Sequence, residues 1–158
     1  MSEYDFLKSG RSLVVEEDDD TDFKDSIAAI VINYMTNALK SACIYSRHSK
    51  RNAVVKEDIK RAFMTEVFLM NRRTDTIQNC LEIKREIRQC IENEEYEESD
   101  EEPDSEYDEP EDEFCESKCN CGLCVYMNGI HEKWEKFEPS NKMEEFLVKI
   151  LHSHIENI

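Results

Sequence analysis

The chain has 158 residues and a formal net charge of −17, from 20 basic and 37 acidic side chains. This length accommodates one domain with appendages. The total charge argues against nucleic-acid binding, because phosphates repel an acidic surface. However, residues 24–91 carry a net charge of +6, whereas residues 92–116 hold 16 acidic side chains and no basic one. Most of the negative charge therefore lies in residues 92–116, and the basic residues 24–91 could still bind nucleic acid.

The sequence shows no recognisable targeting signal and no known catalytic motif. The first residues lack the regions of a secretory signal, and no apolar run approaches the ~18 residues that span a bilayer. Seven cysteines without such a signal argue against a disulfide framework. We therefore expect a reducing intracellular location and no membrane partner. Without a phosphate loop or nucleophile elbow, we expect no enzymatic activity and no small-molecule substrate.

A long central helix is the first strong element. Neither glycine nor proline occurs between Arg11 and Glu102, which predicts an all-α fold. The first long helix is expected over residues 22–48, with Asp20 or Thr21 as N-cap. Its apolar residues surround most of the helix, and such a helix must be covered from several sides. We therefore expect a partner chain, and the predicted dimer core comprises Ile27, Ile30, Val31, Tyr34, Ala38 and Ala42. The alternative is a simple helical bundle in which these residues pack internally.

Shorter helices are predicted after a basic turn at residues 47–51. One starts near Lys56, a break follows at residues 71–75, and an additional amphipathic helix extends to residue 91. A final amphipathic helix covers residues 141–155. Its apolar face, with Trp134 and Phe137 just upstream, either forms a docking surface or packs on the chain's own core. Three cysteines at apolar helical positions are expected in the core: Cys43, Cys80 and Cys90.

The acidic segment at residues 92–114 is predicted to be a solvated, disordered linker. It either competes for basic surfaces as an autoinhibitory element or only keeps the chain soluble.

Four cysteines follow in the pattern C-x3-C-x-C-x2-C: Cys115, Cys119, Cys121 and Cys124. Four soft thiolates within ten residues can form a tetrahedral structural zinc site. His131 is an alternative ligand in place of Cys115, and free or redox-active cysteines are the alternative to a metal site. We therefore predict a small Cys-rich zinc module with a C-terminal helix over residues 115–158.

Five residues from the end of the long helix onward stand at defined spacings: His48, Arg51, Val54, Asp58 and Ile59. With the order of long helix, β-branched loop residue and short helix, this pattern resembles the histone fold of archaeal histones and of histone-fold subunits of transcription and replication complexes. The resemblance covers residues 20–70, within a predicted histone-fold domain at 1–70. It implies an internal ion pair between Arg51 and Asp58. It also implies a short first helix within residues 2–9 and a strand at 13–15.

The resemblance also implies a DNA-related function and a location in the nucleus, on chromatin or in a viral DNA compartment. Histone-fold chains pair with one another, and the acidic ends favour a heterodimer over a homodimer. The expected activity is DNA packaging or transcription, with phosphate contacts from the second loop by Arg47, Lys50, Arg51 and Lys56. The acids between residues 16 and 25 argue against nucleosome-like wrapping. The alternative is an acidic histone chaperone or regulatory protein that binds basic partners without contacting DNA.

Overall fold

The structure is a computed structural model that describes the backbone of residues 3–93 and 112–155 and the side chains of residues 20–93 and 112–154. Within these ranges the chain forms helices and no strand, which confirms the all-α expectation there. The helices are α1 (Glu3–His48), α2 (Lys56–Met70), α3 (Thr76–Glu92), α4 (Gly122–Asn128), α5 (Ile130–Glu135) and α6 (Lys142–Ile155).

The helix α1 is longer than the sequence predicts. It continues without a break through 46 residues, so the N-cap expected at residues 20–21, the separate helix at 2–9 and the strand at 13–15 are wrong. No proline interrupts this stretch, and acidic residues are compatible with a helix when a base follows one turn later. Such a pair is present, because Lys24 Nζ lies 2.8 Å from Asp20 Oδ2.

The chain divides into two compact units, and the boundary falls within α1. The first unit comprises Met1–Asn33 and Ile77–Glu98, and the second comprises Tyr34–Thr76 and Ser99–Ile158. Residues 94–111, most of the predicted acidic linker, lie outside the described residues.

Ion pairs connect α3 to α1 in the first unit. The Asp22 carboxylate pairs with both Lys84 and Arg88, and Arg88 Nε lies 3.4 Å from Asp25 Oδ2. The hydrogen bond from Lys84, with a further one from Arg88, lowers the pKa of Asp22. No residue of α3 is fully buried, but Ile83 and Ile87 are half-buried, and Ala29 of α1 in the same unit is buried. This unit therefore combines the ion pairs with apolar burial, while Ile77, Leu81 and Ile91 of α3 remain exposed.

The cysteines expected in the core are a further difference from the prediction. Cys43 and Cys90 are exposed, and Cys80 is only half-buried. Helical periodicity places these residues on apolar faces, but no second layer of the described chain covers those faces.

The second unit contains the hydrophobic core, in which α2 packs against α4, α5 and α6. Its buried cluster consists of Ala38, Ala42, Tyr45, Ala62, Cys124 and Met127. Small alanines on α1 and α2 allow the helices to approach closely, and the Tyr34 hydroxyl donates to the Phe63 carbonyl at 2.5 Å. Three residues of the predicted dimer core, Tyr34, Ala38 and Ala42, are therefore buried within the chain itself.

Aromatic packing joins α2 to the C-terminal helices. The ring of Phe68 lies 4.7 Å from that of Phe137 and 6.3 Å from that of Trp134, centroid to centroid. Leu147 and Leu151 of α6 are buried. These contacts favour packing of Trp134 and Phe137 on the chain's own core over a docking surface.

One side of α1 remains open in the second unit, and we call it the open face. It carries Met35, Leu39, Cys43 and Ile44, and the exposed fractions of its three aliphatic residues lie between 41% and 44%. A shallow groove of about 510 Å³ follows this face between Lys40 and Arg47. The helix is therefore apolar on two sides, of which the described chain covers one.

Part of α1 could also cross a membrane, judged by length and composition. The segment is Asp20–His48, and 33% of its most apolar window is buried in the chain. The expectation of no membrane partner stays a prediction. The core helix of a soluble protein meets the same criterion.

Candidate metal centre

The turn between α1 and α2 positions His48 as the last residue of α1. The backbone N–H of Arg51 donates to the Ser46 carbonyl at 3.1 Å, and the Ser46 hydroxyl donates to the Ala53 carbonyl at 2.8 Å. Lys50 adopts a φ of 60°, in the left-handed region that non-glycine residues seldom occupy. This reversal ends α1 at His48 and directs the chain into α2.

A network around Tyr45 positions the cysteines. The Tyr45 hydroxyl donates to Asn128 Oδ1 at 2.5 Å and accepts from the Ser117 backbone N–H at 3.3 Å. Asn128 Nδ2 donates in turn to the Ser117 carbonyl at 2.9 Å. Ser117 is buried, and its hydroxyl accepts from the Cys119 backbone N–H at 3.2 Å. The closed network anchors the chain just before the cysteine cluster.

Four side chains converge beside this anchor: His48, Cys119, Cys121 and Cys124. Their ligand atoms all lie within 4.8 Å of one another. His48 Nδ1 lies 3.3 Å from Cys124 Sγ and 3.5 Å from Cys121 Sγ. A tetrahedral zinc ion with usual bond lengths would separate nitrogen and sulfur ligands by about 3.6 Å. The group could therefore hold a metal ion such as zinc.

The electrostatics of the thiols differ within the cluster. Hydrogen bonds from the backbone and side chain of Cys124, assisted by Cys119 and His48, lower the pKa of the Cys121 thiol to about 6. Burial, with the neighbouring Cys121, raises the pKa of the Cys124 thiol to about 11. The lowered pKa favours the thiolate form of Cys121 at neutral pH. The raised pKa favours the thiol form of Cys124, whose sulfur would bind a metal ion with release of its proton to solvent.

Two predicted ligands lie outside this group. Cys115 Sγ faces the Ser49 carbonyl at 3.8 Å, because the anchor at Ser117 directs the preceding residues along the turn. His131 Nε2 lies 2.7 Å from Glu57 Oε1. The structure brings Cys119, Cys121 and Cys124 together as predicted, with His48 in the place considered for Cys115 or His131.

Comparison with protein-family models, curated proteins and solved structures finds no match.

The predicted phosphate-contact residues fall into two groups. Arg47, Lys50 and Lys56 are exposed around the turn. Arg51 donates to Asp58 Oδ2 and Oδ1 at 2.6 and 2.5 Å, and its side chain is 6% exposed. This is the ion pair that the resemblance implies, and the hydrogen bonds to Asp58 raise the pKa of Arg51. Arg51 is therefore occupied by a structural contact.

Sequence reasoning missed His48 as a ligand because 71 residues separate it from Cys119, and metal motifs are recognised by local spacing. One signal was present. When one cysteine of a contiguous cluster does not bind the metal, the fourth ligand has to come from another part of the chain. The chain has only four histidines that could supply it.

Proposed function

We propose that His48, Cys119, Cys121 and Cys124 form a structural zinc site. A full set of four protein ligands leaves no position for water or substrate, which is characteristic of structural rather than catalytic zinc. His48 comes from the end of α1, Cys119 and Cys121 from the segment leading into α4, and Cys124 from the first turn of α4. Zinc would therefore connect two parts of the chain that are distant in sequence, and the binding energy would contribute to folding.

Metal content and matched cysteine variants test this site. Protein purified without chelator should contain about one equivalent of zinc by elemental analysis. His48→Ala and Cys121→Ser should lose the metal, whereas Cys115→Ser should retain it, because Cys115 lies outside the ligand group. A Cys115→Ser variant that loses zinc while His48→Ala keeps it would contradict the ligand set.

We further propose that the chain is a histone-fold-type subunit of a DNA-packaging or transcription complex. In this assignment the second half of α1, the following turn and α2 correspond to the central helix, second loop and third helix. The observation that supports it is the open face of α1, since an apolar helix side in water favours a partner. The partner would be a different histone-fold chain, and Arg47, Lys50 and Lys56 would contact phosphates.

Charge placed on the open face tests the pairing. Light scattering of the chain co-purified with its histone-fold partner should give the mass of a complex, and Leu39→Glu should reduce it to that of the single chain. Leu81→Glu is a matched control, because Leu81 is an exposed apolar residue of α3 with an exposed fraction of 51%. A folded single chain without either substitution would contradict the pairing.

An acidic chaperone is the second candidate function. The observation that favours it is that acids of the described C-terminal segment already bind basic groups of this chain, since Glu116 Oε1 lies 3.2 Å from Arg61 Nη1. A mobility-shift assay with DNA and with basic histones separates the two functions. A chaperone would bind the histones and leave the DNA unshifted.

A further inference from the structure

Residues 112–117 lie along the turn between α1 and α2, and we call them the strap. The Asp112 carboxylate accepts a hydrogen bond from the Asn52 backbone N–H at 3.3 Å. The Cys115 carbonyl accepts from Arg51 Nη2 at 3.5 Å, and its thiol faces the Ser49 carbonyl. The strap therefore contacts the turn through Asp112 and Cys115.

The same strap also contacts the N-terminal half of α2. The ring of Phe114 stacks with that of Tyr45 at 6.4 Å, and the guanidinium groups of Arg61 and Arg51 lie 4.6 and 5.4 Å from its centroid. Glu116 pairs with Arg61, as described above. Arginine over an aromatic face is stabilised by the ring quadrupole, so this contact combines packing with charge.

The acidic groups of the strap occupy positions that suit an anion. A backbone N–H and a guanidinium are the donors that proteins commonly use for phosphate oxygens. Here the Asn52 N–H donates to the Asp112 carboxylate. Arg61 Nη1 donates to the Glu116 carboxylate and also to the Met127 and Asn128 carbonyls. A phosphate that approached the turn would have to displace Asp112, Glu116 or both.

The metal ligands lie next to the turn and to the C-terminal end of the strap. His48 is the last residue of α1, directly before the covered turn, and Cys119 follows Ser117 by two residues. Zinc bound to this set would connect the turn directly to the chain segment that continues from the strap. Without zinc, the described contacts of the strap are the Tyr45 network, the Phe114 stacking and the polar contacts with the turn.

We propose that the strap is an autoinhibitory cover of the anion-binding turn and that zinc at His48 holds it in place. This inference rests on the proposed zinc site. Loss of zinc releases the strap, frees the Asn52 backbone N–H, removes the contact of Arg61 Nη1 with Glu116, and increases the affinity of the turn for the DNA phosphate backbone.

The test compares full-length proteins in a DNA-binding titration with a random-sequence duplex at low salt. The double variant Asp112→Asn with Glu116→Gln removes the charges of the strap and leaves every zinc ligand intact. It should bind the duplex about fivefold more tightly than the unaltered chain. The control is Glu135→Gln with Glu138→Gln, which removes two exposed acids outside the strap and should change affinity far less.

Hydrogen exchange with and without chelator gives a second readout that does not depend on DNA. Removal of zinc from the unaltered protein should speed exchange of the Asn52 and Ser117 amides at least about tenfold, because both donate within the strap contacts. His48→Ala should show the fast exchange without chelator.

The outcomes separate the inference from the site on which it rests. Absence of zinc by elemental analysis would contradict the proposed site. Zinc present, with amide exchange unchanged by its removal or with equal DNA affinity for the strap variant and its control, would overturn the inference alone. Absence of DNA binding by every variant would also overturn it, because the strap would then cover no anion site.

Discussion

Arg51 and Asp58 form a buried, bidentate ion pair across the turn that separates α1 from α2. Asp58 Oδ2 also accepts from the Val55 backbone N–H at 2.8 Å, so one carboxylate both neutralises the turn arginine and caps the start of α2. Asp58 is completely buried, and removal of one partner of such a pair leaves the other charge without compensation.

Asp58→Ala should therefore destabilise the fold by about 3–5 kcal/mol. The free energy of unfolding from urea denaturation measures this loss. Asp20→Asn, which breaks the exposed pair with Lys24, is the control and should change it by less than about 1 kcal/mol. Equal effects of the two substitutions would mean that the buried pair does not stabilise the turn.

Cys121 should be the most reactive thiol of the zinc-free protein below neutral pH. Because its pKa is lowered to about 6, its alkylation by iodoacetamide should reach half of its maximal rate near that pH. Peptide mapping by mass spectrometry measures the site-specific rate. Zinc should suppress this reaction, and Cys121→Ser should abolish it, while Cys90 should react regardless of zinc. A Cys121 rate that rises only above pH 8 would contradict the lowered pKa.

Lys50 should contact phosphate if the chain binds DNA through the turn. Its φ of 60° makes Asn the appropriate replacement, because Asn tolerates the left-handed region better than Ala. Lys50→Asn should weaken DNA binding about equally across sequences and reduce the slope of log affinity against log salt by about one unit. Lys149→Asn on α6 removes the same charge away from the turn and serves as the control. An unchanged slope for Lys50→Asn would exclude that contact.

Glu57 should make stability depend on pH in the acidic range. Burial raises its pKa, but hydrogen bonds with His131 and Arg61 outweigh that effect, so the net pKa of Glu57 is lowered. A lowered folded-state pKa stabilises the fold above the unfolded-state value of about 4.5, and this stabilisation is lost as pH falls through the folded-state pKa.

Glu57→Gln should therefore flatten the decrease in unfolding free energy below about pH 4.5. Urea denaturation over a pH series measures the curve. Glu132→Gln, an exposed acid of the first turn of α5, should leave the shape of the curve unchanged. An unaltered curve for Glu57→Gln would mean that its contacts with Arg61 and His131 do not stabilise the folded state.

Local patterns in the sequence determined much of this protein. Apolar periodicity and the distribution of glycine and proline located α2, α3 and α6, since helix formation follows from propensity and amphipathicity within a short window. The spacing of three cysteines identified their shared chemistry, because ligands close in sequence are close in space. The acidic and basic segments also follow directly from the sequence. The basic segment predicted phosphate contacts at the turn between α1 and α2.

Tertiary structure alone decided the remaining features. Periodicity showed that α1 is apolar on two sides, but only the packing of α2 and Met127 around Ala38, Ala42 and Tyr45 decided which side is buried. His48 joins the cysteines because the Tyr45 network brings residues 117–124 to the end of α1, a contact between segments about 70 residues apart. Such contacts depend on the sum of many packing interactions, so no local spacing could predict the fourth ligand or the strap across the turn.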